Sequence, residues 1–356
     1  MKKTINNTLK NTIKIQTSLA SFNLDIEFKV KLGITCIIGN SGAGKTTLLR
    51  AIAGLDHKKN DKNNIVAIKQ VWQNHNTYIA THKRHIAFAF QSDNLFTHLT
   101  VSQNINLIPY KQQNLFKKLE TLLKITELMN KFPDALSGGE KQRVALFKAL
   151  IIKSDIILLD EPLSAVDAHH KKVILTALNK LKTELNIPIL YISHNYEEIT
   201  HIADQIICIE NGKKIFDSPF SSHIINQYFQ SSEPNNIASI FDMNVDTKED
   251  NDGLITLRNN YFSIRTTKTN QLTNEVRVKI FAKDVSICTK LPTHTSIINI
   301  LEAQIIECTH LENSTLINVE INGQPIYSLI SYHSFKQLQL THEKKIWIQI
   351  KAISLN

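Results

Sequence analysis

The chain has 356 residues, of which 42% are hydrophobic, and it carries a formal net charge of +9. That length suits two or three domains, and the composition excludes a chain that is disordered throughout. Four widely spaced cysteines without a CxxC pair argue against a disulfide framework or a zinc site and fit a reducing compartment.

The basic charge is compatible with a nucleic acid, an anionic membrane surface or an anionic ligand as partner. The lysines and arginines are spread along the chain, however, so a generally lysine-rich composition explains the charge more simply, and we expect no nucleic acid. Residues 1–11 are polar and lack the apolar stretch of a signal peptide. No apolar run approaches the ~18 residues that a membrane-spanning helix needs, so we expect a soluble chain that works at a membrane only through partners.

The first part of the chain predicts a hairpin, a strand and a helix. Apolar and polar residues alternate over residues 13–30, which predicts a β-hairpin. Phe22 in this hairpin is either a core residue or an aromatic ring that stacks on an adenine. An apolar run at 34–38 then predicts a strand, and the spacing at 47–55 predicts a helix. The residues between them fit the pattern Gly, four residues, Gly-Lys-Ser/Thr: Gly39, Asn40, Ser41, Gly42, Ala43, Gly44, Lys45 and Thr46.

A loop of this pattern between a strand and a helix predicts a phosphate-binding P-loop. Glycines let backbone N–H groups point inward around phosphate oxygens, and the helix that follows adds the positive end of its dipole. Lys45 then reaches the outer phosphates, and the Thr46 hydroxyl holds Mg²⁺. With Thr47 at the start of the helix, these residues form the candidate site for phosphate groups and Mg²⁺.

A strand predicted at 86–90 runs into Gln91, whose amide oxygen is a candidate ligand for Mg²⁺ or a water. Apolar spacing over 101–132 predicts a largely helical segment, which Pro133 ends. Ser137 is predicted to cap the next helix, with Glu140 at the capping-box position. Ser137, Gly138 and Gly139 also form a second candidate anion site, because they stand at a helix N-terminus.

Residues 156–162 predict a buried parallel strand that ends in two acids, Asp160 and Glu161. Functional groups gather at the carboxyl ends of such strands. Asp160 is predicted to hold Mg²⁺ through its oxygens, and Glu161 to orient or deprotonate the attacking water. The next buried strand, at 187–192, ends near His194, a candidate donor to the γ-phosphate.

The spacing also predicts a helix at 171–185 and a hairpin at 206–217 with a tight turn at Asn211 and Gly212. Residues 231–236 are polar and predict a linker. The pattern then changes to short alternating segments, which favour a small all-β barrel. These segments are 254–257, 261–266, 276–281, 297–306, 315–321, 326–329 and 345–350.

Taken together, the motifs resemble the ATP-binding cassette (ABC) family of transporter ATPases. Residues 39–46 resemble its Walker A loop, 136–140 its LSGGE signature, and 164–167 its D-loop. Gln91 matches the Q-loop, Asp160 and Glu161 match Walker B with the catalytic glutamate, and His194 matches the switch histidine. Val166 and Asn195 replace the residues that are usual at their positions. We expect neither change to abolish hydrolysis.

The C-terminal third is similar to the Mop domain of molybdate importers, a β-barrel that binds oxyanions at a subunit interface. Residues 277–286 and 295–301 resemble its linker and first strand, and 349–352 its closing strand. This resemblance makes Thr295, Ser296 and Lys351 candidate oxyanion ligands. Ile297 stands where that domain commonly carries a basic residue, which puts oxyanion binding in doubt.

The resemblance implies an α/β fold: a P-loop cassette of mixed sheet and helical subdomain, followed by a small Mop/TOBE-like β-barrel. We expect the cassette at 1–232 with its helical subdomain at about 92–150, a linker with β segments at 233–292, and the barrel at 293–356. A cytoplasmic, peripheral subunit of the inner membrane is implied, which hydrolyses ATP to energise molybdate import.

The implied partners are a second copy of the chain in a head-to-tail homodimer, two transmembrane permease subunits and, indirectly, a periplasmic or extracellular oxyanion-binding protein. Tungstate, sulfate, another anion or a polyamine stays open as the cargo. A soluble cassette protein that works on ribosomes or DNA is the alternative from a different class. Only one set of motifs is present, and the coiled-coil or zinc insertions of DNA-repair cassettes are absent.

Overall fold

The computed structural model describes residues 11–18, 23–56, 64–66, 71–90, 95–109, 111–229, 236–246, 253–267, 274–351 and 353–355. The chain divides into two compact units, Met1–Phe220 and Ser221–Asn356. The first unit contains a ten-stranded sheet in the order β5-β4-β1-β2-β10-β9-β3-β8-β7-β6. Its strands are β1 (Thr12–Ser18), β2 (Asn23–Lys29), β3 (Gly33–Ile38), β4 (Asn64–Val66), β5 (Val71–Gln73), β6 (Ile86–Ala89), β7 (Ile156–Asp160), β8 (Pro188–Ile192), β9 (Gln205–Glu210) and β10 (Lys213–Pro219). Its helices are α1 (Lys45–Ala53), α2 (Val101–Asn106), α3 (Gln113–Leu122), α4 (Gly138–Ile151), α5 (Ala168–Leu185) and α6 (Tyr196–Ile202).

Five neighbouring strands, β9, β3, β8, β7 and β6, run parallel and form the centre of this sheet. Every residue of β7 and β8 is buried, as expected for parallel strands that are covered on both faces. Ile192 of β8 pairs with Ile37 on one side and Asp160 on the other. This register brings the loops that follow β3, β8 and β7 together at one edge of the sheet.

The hairpin predicted at 13–30 is confirmed by the antiparallel pairing of β1 and β2. Burial alternates strictly along β2, and its buried residues Leu24, Ile26 and Phe28 share a core with Leu48 and Leu49 of α1. The hairpin therefore supports the helix that begins at the P-loop. The second hairpin, β9–β10, is also confirmed. Its turn residues Asn211 and Gly212 both have positive φ, 47° and 74°.

The helical segment predicted at 101–132 is interrupted more than the apolar spacing indicated. Helix α2 ends at Asn106 and α3 begins at Gln113, with Pro109 between them. Proline lacks the N–H that a continuous helix would need there. Short 3₁₀ turns follow at Thr126–Leu128 and Pro133–Ala135, so Pro133 begins a turn where it was expected only to end a helix.

Arg84 is a buried cation that joins α1 to the strands beside it. Its guanidinium donates to the carbonyls of Ile79 (2.7 Å) and Ile52 (2.5 Å), and to Gln73 Oε1 (3.3 Å). Gly54 ends α1 with φ of 79°, and a Cβ there would lie 2.6 Å from Arg84 Cζ. Burial lowers the pKa of Arg84. The hydrogen bonds to the C-terminus of α1 offset part of the lost solvation of the guanidinium.

The second unit begins earlier than residue 233. Helix α7 (Ser222–Phe229) is joined to the following strand by Asn226, which is buried. Its amide donates to the carbonyl of Ala238 (2.8 Å) and accepts from the N–H of Ala238 (3.4 Å). These bonds attach α7 to the second unit, in agreement with a division between Phe220 and Ser221. Residues 231–235 of the predicted linker lie outside the described residues.

Two five-stranded antiparallel sheets make up most of the second unit, in the orders β13-β12-β11-β14-β20 and β15-β19-β16-β17-β18. The strands are β11 (Ala238–Asp246), β12 (Leu254–Arg258), β13 (Ser263–Thr267), β14 (Glu275–Phe281), β15 (Val285–Cys288), β16 (Asn299–His310), β17 (Ser314–Ile321), β18 (Gln324–Ser331), β19 (Lys345–Ile350) and β20 (Ser354–Leu355). A short helix, α8 (Tyr332–Gln337), follows β18.

The two sheets share one core. Met243, Leu257 and Val278 of the first sheet belong to the same buried cluster as Ile317 and Ile348 of the second. The segment 233–292, expected to be a linker with β segments, contributes β11, β12, β13 and β14 to the first sheet and β15 to the second. Strands β11 and β15 had no prediction.

Within the described ranges, none of the helices is both long enough and apolar enough to cross a membrane.

We expect Arg84→Met to destabilise the first unit by at least about 2 kcal/mol, because each buried carbonyl left without its donor costs ~1–3 kcal/mol. Urea unfolding followed by tryptophan fluorescence measures this. In a Trp347→Phe background, Trp72 is the one tryptophan left and reports on the first unit.

Arg50→Met is the matched control, because the Arg50 side chain is 42% exposed and bonds to Asp56 at the surface. Its loss should cost no more than about 1 kcal/mol. Equal effects of the two variants would contradict the role given to Arg84.

Candidate functional site

At two positions, the backbone of the loop at residues 39–44 requires glycine. A Cβ at Gly39 would lie 2.2 Å from the carbonyl oxygen of Ile209, so only glycine fits there. Gly44 caps α1 in the left-handed region with φ of 99°, which glycine adopts without strain. Together they turn the chain directly from β3 into the N-terminus of a nine-residue helix, which favours an anion.

Lys45, the first residue of α1, has a buried side chain that lies along this loop. Its ammonium donates to the carbonyls of Gly39 (2.8 Å) and Asn40 (2.9 Å). Burial lowers the pKa of Lys45, while the nearby carboxylates of Glu161 and Asp160 oppose that shift. An ammonium group has three N–H donors, so the third can meet a phosphate oxygen.

Asp160 ends β7 and has a carboxyl group suited to a metal ion. Both of its oxygens are buried and accept no hydrogen bond from the described residues. Burial raises the pKa of Asp160, and the nearby hydroxyl of Thr46 lowers it in part. A buried carboxylate that accepts no hydrogen bond, with a hydroxyl beside it, offers the oxygen ligands that Mg²⁺ prefers.

In the described part of the chain, no cluster of three or more His, Cys, Asp or Glu residues could hold a metal ion. Thr46 and Asp160 offer two oxygen ligands, and Mg²⁺ sites usually combine a few protein oxygens with phosphate oxygens.

Glu161 and His194 face each other at the ends of neighbouring strands. His194 Nδ1 lies 3.0 Å from Glu161 Oε1, and the histidine side chain is 65% exposed whereas that of the glutamate is 16% exposed. Glu161 has a positive φ of 48°, which is uncommon for a residue other than glycine. Its N–H donates to the carbonyl of Ile192 (3.1 Å), so the pairing of β7 and β8 holds this conformation.

The predicted capping box of α4 is confirmed. Ser137 Oγ accepts from the N–H of Glu140 (3.3 Å), and the Glu140 carboxylate accepts from the N–H of Ser137 (2.7 Å). The Ser137 N–H and, secondly, Lys131 hold the pKa of Glu140 below its ordinary range. Gly138 and Gly139 form the first turn of the helix, with Ser137 and Gly138 exposed.

The structure thus brings the candidate residues together in two groups within one chain. The P-loop, Asp160, Glu161 and His194 form one group, and residues 137–140 form the other. Among the described residues, no hydrogen bond joins the second group to the P-loop. Gln91 and Phe22 lie outside the described residues, so their predicted roles stay predictions.

The oxyanion candidates of the second unit lie before β16 and after β19. Thr295, Ser296 and Lys351 are exposed, and Ile297 is half-buried. Thr295 Oγ1 accepts from Gln349 Nε2 (3.1 Å) and from the N–H of Ile297 (3.2 Å). Both bonds use oxygen lone pairs, so the hydroxyl proton of Thr295 can be donated to an anion.

Sequence reasoning gave no role to Gln142, which contacts the loop that follows Glu161. The Gln142 amide donates to Ser164 Oγ (2.7 Å) and accepts from the N–H of Ala165 (2.7 Å). Its position in the signature helix, five residues after Ser137, was visible in the sequence. Its partners were not, because they lie on a different loop.

Glu198 was missed for a similar reason. This carboxylate is buried on α6 and accepts from the hydroxyls of Tyr191 and Ser193, both at 2.8 Å. It also pairs with Lys171 Nζ at 2.8 Å. The network anchors the strand end that carries His194.

Comparison with known proteins identifies two matching family models. The model of the ABC transporter family matches residues 24–164, and that of the TOBE domain matches residues 295–355. A solved ATP-binding subunit of an ABC transporter has a similar fold, with a TM-score of 0.50 and 20% identity; 62% of this chain and 92% of that chain are covered.

Relatives match over nearly the full length. The molybdenum import ATP-binding protein ModC of Haemophilus ducreyi is 36% identical, over 96% of this chain and 99% of that protein. The protein of the same name from Pseudomonas savastanoi is 35% identical, over 91% of this chain and 92% of that protein. This chain therefore belongs to the ModC family of ABC transporter ATP-binding proteins.

Proposed function

We propose that this chain hydrolyses ATP to ADP and phosphate and so energises the import of molybdate across the inner membrane. The observation that carries the proposal is that Lys45, which follows β3, lies close enough to Asp160 and Glu161 at the end of β7 for their charges to act on its ammonium group. Strand β8 lies between β3 and β7 and pairs with both of them. The cargo is inferred from the relatives, whose name states molybdenum import.

ATP binding is assigned to the P-loop. Its backbone N–H groups and the N-terminus of α1, which includes Thr46 and Thr47, would surround the phosphates. Lys45 supplies a positive charge that the buried site screens weakly. Thr46 and Asp160, with Gln91 as a further candidate, would hold Mg²⁺, which neutralises charge on the phosphate oxygens when bound.

Hydrolysis is assigned to Glu161 and His194. The Glu161 carboxylate accepts a proton from the attacking water, as a general base does. His194 orients that carboxylate through the 3.0 Å contact of its Nδ1. In the imidazolium form, His194 has a second N–H at Nε2, which can stabilise charge that develops on the γ-phosphate.

The chain is proposed to form a head-to-tail homodimer. In the described part of the chain, residues 137–140 make no hydrogen bond to the P-loop, and in the dimer they would close over ATP that is held by Lys45 of a second copy. The exposed helix N-terminus at Ser137 and Gly138 suits a γ-phosphate in that position. ATP would shift the population toward the closed dimer, and hydrolysis would release it.

As the ATP-hydrolysing subunit of an importer, the chain would lie at the cytoplasmic face of the membrane as a peripheral subunit. Two transmembrane permease subunits would be driven by the closure of the dimer, and an external oxyanion-binding protein would deliver the cargo. In the second unit, Thr295, Ser296 and Lys351 would bind oxyanion. The free hydroxyl proton of Thr295 supports this despite Ile297.

Glu161→Gln should keep ATP affinity and lose turnover by roughly 10²–10⁴-fold, because an amide cannot accept the proton. The variant should accumulate an ATP-bound dimer, which light scattering detects. Adding Ser137→Arg, which obstructs the shared surface, should abolish that dimer while each chain still binds ATP. Substantial turnover of Glu161→Gln would remove the glutamate from its role, and a dimer that survives Ser137→Arg would argue against shared sites.

Asp160→Asn should affect the stability of the free protein and the binding of Mg²⁺ in opposite directions. The folded-state pKa of Asp160 is raised, so its ionised form opposes folding at pH values above the unfolded pKa near 3.8. Without nucleotide, the variant should therefore melt at the same or a higher temperature at pH 7. That difference should shrink as the pH falls toward about 4.

With Mg²⁺ and ATP, the parent chain should gain melting temperature and Asp160→Asn should gain little, because the amide is a weaker Mg²⁺ ligand. Differential scanning fluorimetry measures both effects. An equal Mg²⁺-dependent gain in the two proteins would contradict the metal assignment.

The cargo is tested by uptake of labelled molybdate and sulfate in cells that carry this chain or Lys45→Ala. We expect molybdate uptake to depend on the parent chain and sulfate uptake to be unchanged. A fall in sulfate uptake alone would keep the transport ATPase and overturn the cargo. No change in either would favour a cassette protein without a transport role.

A further inference from the structure

Gln142 lies in the second turn of α4, at the contact between the signature helix and the loop that follows the catalytic glutamate. We propose that Gln142 is a positioning residue that holds Glu161 and couples its turn to the signature segment of the same chain. The inference rests on the proposed function of Glu161 and of residues 137–140.

The side-chain amide of Gln142 bonds to this loop through both its nitrogen and its oxygen. Nε2 donates to Ser164 Oγ at 2.7 Å and, more weakly, to the carbonyl oxygen of Glu161 at 3.4 Å. Oε1 accepts from the N–H of Ala165 at 2.7 Å. An amide offers a donor and an acceptor on one plane, and this loop uses both.

Glu161 needs such support because its backbone is in the left-handed region, with φ of 48°. Residues other than glycine keep that conformation only when the surrounding structure holds them. The carbonyl of Glu161 accepts from the Ser164 N–H (3.3 Å) and the Ser164 hydroxyl (3.2 Å) as well as from Gln142. Gln142 thus bonds both to the strained residue and to the serine that closes its turn.

Close packing reinforces the contact. A Cβ on Gly139 would lie 2.8 Å from the carbonyl oxygen of Ala165, and one on Gly138 would lie 3.5 Å from Ala165 Cβ. The helix therefore approaches the loop at a distance that a larger residue at 139 would prevent. The loop therefore contacts the first two turns of α4 at two places, at Gly139 and at Gln142.

In the proposed dimer, the contact of Gln142 joins two segments of one chain that act at different ATP sites. Glu161 would act on the ATP that is bound by its own chain, whereas Ser137 would contact the ATP that is bound by the partner. Gln142 lies five positions after Ser137, which corresponds to about 7.5 Å along a rigid helix. A change in the turn at Glu161 is therefore passed to the opposite site through the side chain of Gln142.

The test is a double-mutant cycle on turnover by the full chain. Gln142→Leu keeps the approximate size of the side chain and removes both hydrogen-bonding ends. We expect turnover to fall about 10²-fold, the scale of a misplaced catalytic group, with KM within about twofold because the P-loop is untouched. Gln142→Glu keeps an acceptor for Ala165 but cannot donate to Glu161, so it should also lose turnover.

Single-turnover phosphate release then compares Glu161→Gln with the double variant Glu161→Gln/Gln142→Leu. If Gln142 acts through Glu161, the second change should cost less than about threefold in the Glu161→Gln background. A further loss of about 10²-fold in that background would give Gln142 an independent role and overturn the proposal. So would unchanged turnover of Gln142→Leu.

Two controls keep the outcomes distinct. Gln113→Leu makes the same replacement at an exposed position of α3 and should leave turnover unchanged. Affinity for a non-hydrolysable ATP analogue verifies the fold of each variant; Gln142→Glu replaces Gln142→Leu in the cycle if the leucine variant misfolds. Full turnover of Glu161→Gln alone would overturn the proposed function, whereas additive losses on top of an inactive Glu161→Gln overturn only the role of Gln142.

Discussion

The parallel pairing of β3, β8 and β7 is the interaction on which the candidate site depends. Ile192 pairs with Ile37 and with Asp160, so three loops leave the sheet side by side. A slip of one residue in either pairing would turn the side chains of the shifted strand to the opposite face. The complete burial of β7 and β8 opposes such a slip, because it would expose or unpair a fully packed strand.

Buried charge is the second theme of the first unit. Lys45 and Asp160 are both desolvated. Burial lowers the pKa of Lys45 and raises the pKa of Asp160, so it favours the neutral form of each. Lys45 is compensated by two carbonyls of its own loop, whereas Asp160 has no hydrogen-bond donor among the described residues. That asymmetry fits a site that opposes folding slightly in order to bind a cation and phosphates.

The second unit uses a different principle, one core between two antiparallel sheets. Asn299 of β16 bonds through its amide to the N–H (2.7 Å) and carbonyl (2.9 Å) of Arg265 on β13. This links the sheets next to the loop that carries Thr295. Gln349, which donates to Thr295, also accepts from Cys288 Sγ at 3.4 Å, so the hydroxyl is oriented by residues of two further strands.

The sequence by itself determined the P-loop, the acids that end β7 and the capping box of Ser137 and Glu140. Each of these is a local pattern, in which neighbouring residues set the backbone and the chemistry. Only the tertiary structure decided the contacts of Gln142 with the Glu161 loop and of Arg84 with Ile52, since these partners are 19 to 32 residues apart. The division at Phe220 likewise depended on the bonds of Asn226 with Ala238, which hydrophobic periodicity cannot reveal because they join a helix to a strand through one polar side chain.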